Sequence, residues 1–386
     1  MSNKPAIFSF FSGAGFLDLG FEKSGYNIAF VNEYYRPFMD TYIHSRRVMG
    51  LPEPEYGYHL RDITDFTNAN ESANLASLVN KARESNPLIG FIGGPPCPDF
   101  SVGGKNRGSE GENGKLSATY VELICQQEPD FFLFENVKGL WRTKKHRAFY
   151  EEIKSKLHSA GYVTTERLIN AIEYGVPQQR ERIIMIGFKR HVLETLGIEL
   201  GQGKSLTDVF PWEKHIKYSV EQVSNFPWIT TTPFKEDSIL ERPSGIPEEL
   251  TIEYWFNKND VYNHPNSNQY FAPRAGLVKF QSIPEGDDSK KSYKRLHRWR
   301  YSPTAAYGNN EVHLHPYKAR RISVAEALAI QSLPKEYALP SDITLSAAFK
   351  TVGNGVPYLA AKGLAETILD FLGVSSHETN CLQLST

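Results

Sequence analysis

Near its start the chain passes from an apolar run into a glycine-bearing turn and then a helical pattern, a succession that restricts the fold more than any other feature. The run Ala6-Ile7-Phe8-Ser9-Phe10-Phe11 is followed at once by Ser12-Gly13-Ala14-Gly15. Glycines at that point let backbone amides at a helix N-terminus approach a ligand. Further apolar runs stand at Ile28–Val31, Leu88–Ile92, Phe131–Phe134 and Ile183–Ile186, separated by helical patterns such as Tyr120 to Glu128 and Phe149 to Ala160. Strands alternating with helices pack as a mainly parallel, helix-covered sheet, so residues 1–194 predict an α/β domain. Ligands of such sheets bind beyond the carboxyl ends of the strands.

Several acids fall at those ends. Glu33 closes the second run, where a carboxylate can accept both hydroxyls of a ribose; the plainer reading is a solvated acid at a helix start. Asp62, in Arg61-Asp62-Ile63, stands at a third strand end and can either accept from an adenine amino group or cap the next helix. The turn itself is an incomplete dinucleotide fingerprint, because Asp18 occupies the place of the third glycine.

The stretch Gly93-Gly94-Pro95-Pro96-Cys97-Pro98-Asp99-Phe100-Ser101 delivers a cysteine from a strand into a rigid turn. A free cysteine is more often a small buried apolar residue, but a Gly/Pro turn is a poor place to bury one. Beyond it, Gly103, Gly104, Gly108, Gly111 and Gly114 accompany Lys105, Arg107 and Lys115, which reads as a mobile basic lid over residues 99–116. Glu135-Asn136-Val137 ends the Phe131–Phe134 run. In Gln178-Gln179-Arg180-Glu181-Arg182 the strand alternation puts Arg180 and Arg182 on one face, suited to a phosphate and a carbonyl oxygen or to an ion-pair network.

From residue 195 to 317 the periodicity fades and Pro, Asn, Ser and aromatic residues rise. Trp212, Trp228, Trp255 and Trp299 need burial, so this predicts an irregular second domain. Helical order returns with the capping box Ser323-Val324-Ala325-Glu326 and with Pro357 ahead of Leu359, Ala360, Leu364, Ile368 and Phe371. Residues 374–386 read as a loose polar tail.

In this order, and over nearly the whole chain, these residues resemble the C5-cytosine DNA methyltransferase family. Phe11–Gly15 is similar to its cofactor loop, Glu33 to its ribose acid, Asp62 to its adenine-amino acceptor and Pro96-Cys97 to its nucleophile motif. Glu135-Asn136-Val137 resembles the base-clamping motif, Gln178-x-Arg180-x-Arg182 the arginine motif, Arg321 through Pro334 the late helix, and Gly353-Asn354-Gly355-Val356 the closing cofactor motif. Two positions depart from the pattern: Pro98 stands where the family has Gln, and Phe16 where many members have a second glycine.

The resemblance implies a Rossmann-like methyltransferase sheet in residues 1–194, a smaller inserted target-recognition domain at 195–317, and a returning segment at 318–373. It implies a DNA cytosine-5 methyltransferase of restriction–modification type that flips its target base. Cys97, Glu135, Arg180 and Arg182 are then the catalytic candidates. S-adenosylmethionine, leaving as S-adenosylhomocysteine, is expected on Phe11, Ser12, Gly13, Ala14, Gly15, Leu17, Glu33, Tyr34, Asp62, Ile63, Pro95, Asn354 and Val356, with no metal. Double-stranded DNA is expected on Ser101, Lys105, Arg107, Lys294, Arg295, Arg298 and Arg300. The last four lie in Lys290–Arg321, whose only acid is Glu311; Arg142, Lys144, Lys145 and Arg147 form a second basic strip. Competing readings are a tRNA-directed member of the same family, whose Cys-Phe-Thr signature is missing here, a catalytically dead DNA-binding relative, and a nicotinamide dehydrogenase, which accounts for the glycine turn alone. A cognate restriction endonuclease is an allowed partner, and a monomer on DNA is expected.

Composition sets the outer limits. A net charge of −1 over 386 residues excludes a globally basic nucleic-acid binder, so a DNA face must be local. Three cysteines, Cys97, Cys125 and Cys381, make neither a disulfide framework nor a zinc spacing. The apolar stretch Ala6–Phe21 is broken by Ser12, Gly13, Gly15 and Asp18, unlike a signal peptide, and no run is long enough to span a bilayer. A cytoplasmic protein with no room for N-terminal regulatory domains is the expectation.

Overall fold

The computed structural model describes residues 4–96, 112–142, 144–200, 205–273, 276–290, 292–305, 307 and 311–374. Its centre is one seven-stranded sheet. The strands are β1 (Ala6–Phe10), β2 (Asn27–Glu33), β3 (Tyr58–Leu60), β4 (Ile89–Gly93), β5 (Phe131–Val137), β6 (Tyr162–Asn170) and β7 (Glu181–Lys189), in the order β3-β2-β1-β4-β5-β7-β6. β1 to β5 are mutually parallel where they pair, and β7 runs antiparallel between β5 and β6. Every residue of β1 and β4 is buried, which is why both read as unbroken apolar runs: a parallel strand is covered on both faces.

Helices α1 (Phe16–Lys23), α2 (Arg36–Val48), α3 (Ala69–Ser85), α4 (Glu112–Gln127), α5 (Lys138–Arg142) and α6 (Lys144–Ser159) cover the two faces. α4 begins eight residues before the expected Tyr120, so Gly114 and Lys115 belong to a helix rather than to a loop. Two strands left no apolar run in the sequence. β3 has only three residues, and β6 is an edge strand whose Thr164, Glu166 and Arg167 face partly to solvent.

The chain returns to this sheet at its end. In the helix Tyr358–Phe371, Ala360, Ala361, Leu364, Ala365 and Ile368 are buried in one cluster with Phe21, Val31, Ile184 and Ile186. The Tyr26 hydroxyl ties the turn between α1 and β2 to this helix by donating to the Ala365 carbonyl at 2.9 Å. Leu206, Phe210 and Trp212 join the same cluster, so the sheet's core extends past the expected boundary at residue 194. Between them lies irregular chain with short helices at Val220–Asn225, Ile252–Lys258 and Leu277–Ser282. The second of these packs Trp255 and Phe256 against Ala14, Phe16 and the helix Val324–Ile330, whose Ser323/Glu326 capping box forms as the sequence predicts. No helix among the described residues is long and apolar enough to cross a membrane.

Candidate active site and cofactor loop

Register brings the functional side chains to one edge. Phe10 of β1 pairs with Gly93 of β4, and Gly93 with Phe134 of β5, so the three carboxyl ends are level. Beyond β1 the backbone reverses sharply: Phe11, Gly13 and Gly15 all have positive φ, at 50°, 56° and 81°. A Cβ on Gly15 would strike the Tyr42 ring at 2.5 Å, whereas Gly13 faces open space. The Gly13 amide donates to Glu33 Oε2 at 2.9 Å and the Tyr35 amide to Oε1 at 2.7 Å. Burial raises the Glu33 carboxyl above its ordinary value, and these amides hold it down.

Around that loop, Ser12 Oγ is buried with no partner, Tyr34 is 69% exposed beside Glu33, and Asn354 is exposed. Ala14, Leu17, Ile63, Pro95 and Val356 are buried behind them. Asp62 caps a short turn, accepting from the Thr64 amide at 2.9 Å and hydroxyl at 2.7 Å, both on Oδ1. An orphaned hydroxyl, two carboxylates at successive strand ends and an exposed ring suit a ligand with ribose hydroxyls, an amine and an aromatic base. The residues present therefore fit S-adenosylmethionine.

The second part of the edge holds a paired acid and base. Val137 of β5 lies opposite Arg182 of β7, and Glu135 is its diagonal neighbour on the same face. Arg182 Nε reaches Glu135 Oε1 at 2.8 Å, with both side chains largely buried. Gly94 sits against this pair: a Cβ there would lie 2.7 Å from Glu135 Oε2. The Gly93-Gly94-Pro95-Pro96 turn thus runs past the Glu135 carboxylate on its way to Cys97. Cys97 itself lies outside the described residues, as do Ser101, Lys105 and Arg107.

A model of the C-5 cytosine-specific DNA methylase family matches residues 6–370. The chain belongs to that family. It is an S-adenosylmethionine-dependent DNA cytosine-5 methyltransferase. Among its relatives is the Type II methyltransferase M.NmeDI of Neisseria meningitidis serogroup C, 58% identical over 369 residues, covering 96% of this chain and 84% of that one. The Type II methyltransferase M.FnuDI of Fusobacterium nucleatum is 29% identical across 94% of this chain and 95% of its own. The fold is shared with a prophage-encoded E. coli protein described as a DNA modification methyltransferase, at a TM-score of 0.64 and 21% identity over 96% of this chain and all of that one.

Arg180 of the methylase does not open onto a ligand. It is 1% exposed, and its guanidinium donates to the carbonyls of Ala305 at 2.9 Å and Gly353 at 2.8 Å. It therefore ties the start of β7 to the end of the insert and to the returning segment. Burial, with Arg182 beside it, works strongly against its charge.

The expected phosphate contacts at Arg295 and Arg298 are corrected by the structure. Arg295 is 1% exposed and donates to the carbonyls of Ile283, Phe280, His315 and Lys318. Arg298 is 3% exposed, paired with Glu285 at 2.8 Å and bonded to Ser238. Chain with little regular secondary structure leaves many carbonyls unpaired, and the arginine's five donors satisfy them from inside. Arg320 and Arg321 behave alike, on Glu326 and on the Val312 carbonyl. Lys294 and Arg300 stay half-buried, the latter 5.4 Å from the Tyr301 ring centre. In the other basic strip Arg147 covers the Trp141 ring and pairs with Glu151.

Sequence reasoning also passed over Asp18 as a mere missing glycine. It is 1% exposed and accepts from the Ser9 and Tyr42 hydroxyls, each at 2.8 Å. Tyr42 is the ring against which Gly15 packs, so Asp18 braces the Phe11–Gly15 loop from below. The available signal was an acid in the first turn of a helix preceded by a strand serine.

Proposed function

We propose that this methylase modifies one cytosine within a specific double-stranded DNA site, as the modification partner of a restriction endonuclease. The observation that carries the reading is the Arg182–Glu135 pair beside the Gly-Gly-Pro-Pro turn that leads to Cys97. O2, N3 and the N4 amine of cytosine lie side by side on one edge of the ring. Arg182 donates to O2, and Glu135 meets N3 and the amine, supplying a proton as negative charge builds in the ring. Stacked duplex hides the reacting atoms, so the base must swing out of the helix, which costs a few kcal/mol.

Cys97 attacks as the thiolate, forming a bond to C6 and turning C5 into an enamine-like nucleophile. S-adenosylmethionine, held by the Ser12–Gly15 loop, Glu33, Tyr34 and Asp62, supplies the methyl group when bound. Transfer of the C5 proton to water and expulsion of the Cys97 sulfur then restore the ring. Arg180 acts at a distance, by fixing the β7 end that carries Arg182. Target choice belongs to the insert, because the sheet edge is committed to chemistry common to every target. The Type II relatives support the restriction–modification role, exercised by a monomer on cytoplasmic DNA.

Bisulfite sequencing of genomic DNA from cells expressing the chain tests this. Protected cytosines should recur at one short sequence and be absent from a vector control. Complete conversion at every cytosine overturns the proposal.

A further inference from the structure

The insert holds one short segment, Glu236–Leu240, that is fastened on both sides of a bare isoleucine. Ile239 is 96% exposed. Before it, the Asp237 amide donates to the Tyr317 carbonyl at 2.8 Å, and Asp237 Oδ1 pairs with Lys318 at 2.9 Å. At Ser238, Arg298 donates to the carbonyl at 2.6 Å and reaches Oγ at 3.0 Å. After it, Trp299 Nε1 donates to the Leu240 carbonyl at 2.9 Å. Arg298 is itself locked by the buried Glu285 carboxylate and lies 4.1 Å over the Tyr317 ring. A free loop would fold such a side chain onto nearby apolar surface. Here the backbone is held from both ends, so the isoleucine stays in water.

The scaffold that holds it leads back to the catalytic edge. Arg298 and Trp299 precede Ser302, which bridges to Gln178 and accepts from the Gln179 amide at 2.9 Å. Arg180 and Arg182 follow directly in sequence, and Arg182 meets Glu135. Arg298, whose sequence context suggests a phosphate contact, instead presents another residue's apolar side chain.

We infer that Ile239 is a specificity-determining contact of this enzyme, an apolar side chain that the insert seats against base edges in a DNA groove. This rests on the DNA reading above and adds to it a named residue and a contact of apolar kind. Duplex DNA fits such a contact because thymine methyl groups line the major groove and apolar side chains also wedge between base steps. A rigid presenter is favoured, since little conformational freedom is left to lose on docking.

The test uses the full-length enzyme and two duplexes of equal length, one carrying the site mapped by bisulfite sequencing and one with that site scrambled. Wild type must bind the first more tightly and methylate it; failure there overturns the DNA reading itself, before any variant is compared. Ile239→Ala should then bind the site duplex about tenfold more weakly, the cost of a lost base contact. Its affinity for the scrambled duplex and for S-adenosylmethionine should be unchanged, and Ile239→Leu should recover most of the loss. Equal affinity of Ile239→Ala and wild type for the site duplex overturns the inference. So does an equal loss on both duplexes, which marks a general contact without specificity.

Discussion

Asp18 is buried beneath the Phe11–Gly15 loop with its carboxyl pushed up to about 6 by loss of solvent, despite two hydroxyl donors. A group whose folded pKa is raised binds its proton more tightly in the folded chain. Its destabilising effect is therefore absent below the ordinary value of 3.8, grows as pH rises through the window from there to about 6, and is constant above it. That interval corresponds to about 3 kcal/mol. Asp18→Asn should raise stability to denaturant at pH 8 and change it little at pH 3.5, where wild type is already neutral. Equal gains at the two pH values contradict the assignment. Glu33 and Asp62 make a second residue-scale case: each alanine variant should weaken S-adenosylmethionine binding in calorimetry by about 1.5–3 kcal/mol, the worth of a charged hydrogen bond. Unchanged affinity in both variants removes them from the cofactor site. Cys97→Ser should bind the cofactor normally and transfer no methyl group, because a neutral hydroxyl is a far weaker nucleophile than a thiolate. Near-normal turnover by that variant excludes Cys97 as the nucleophile.

At the scale of elements, the decisive arrangement is the antiparallel β7 laid beside β5. It sets Arg182 diagonal to Glu135, and the turn after β4 closes against that pair at Gly94. Gly94→Ala forces its Cβ to within 2.7 Å of Glu135 Oε2, so either the carboxylate leaves Arg182 or the turn toward Cys97 backs away. Misplacement of reacting groups by about 1 Å costs on the order of 10²-fold in rate. The expected outcome is a fall in kcat of that order with cofactor affinity intact. A variant with wild-type kcat places the turn elsewhere during turnover.

The whole molecule is a sheet whose last helix returns from beyond an irregular insert, and the join between them determines what can be exchanged. Leu206, Phe210 and Trp212 are buried with Phe188 and Ile368 in the sheet's core. A chimera that replaces residues 217–304 with the matching insert of a relative of different target, keeping large apolar residues at the places of Trp255 and Phe256, should fold and move the methylated site. One cut at 194 gives up these three core side chains unless the donor repacks them, at about 2–5 kcal/mol each, and should melt earlier in a thermal scan. An active chimera of the first kind that still methylates the original sequence places target choice in the sheet domain.

The sequence by itself determined the parallel strands and the candidate residues, because strands covered on both faces are largely apolar and the polar groups that break the pattern stand at strand ends. Ala6–Phe10, Glu33, Glu135 and Arg182 were all legible for that reason. Only the tertiary structure decided where a charge is spent. Charge in a sequence says nothing of burial, so Arg295 and Arg298 read as a DNA face although they satisfy carbonyls and a carboxylate inside the insert. Arg180 read as a catalytic group, and its hold on the Ala305 and Gly353 carbonyls could not be foreseen, because those partners lie more than a hundred residues away. β6 escaped notice because an edge strand half in water needs no apolar run. The exposure of Ile239 was equally invisible, since it depends on bonds from Arg298, Trp299 and Tyr317 that no local pattern encodes.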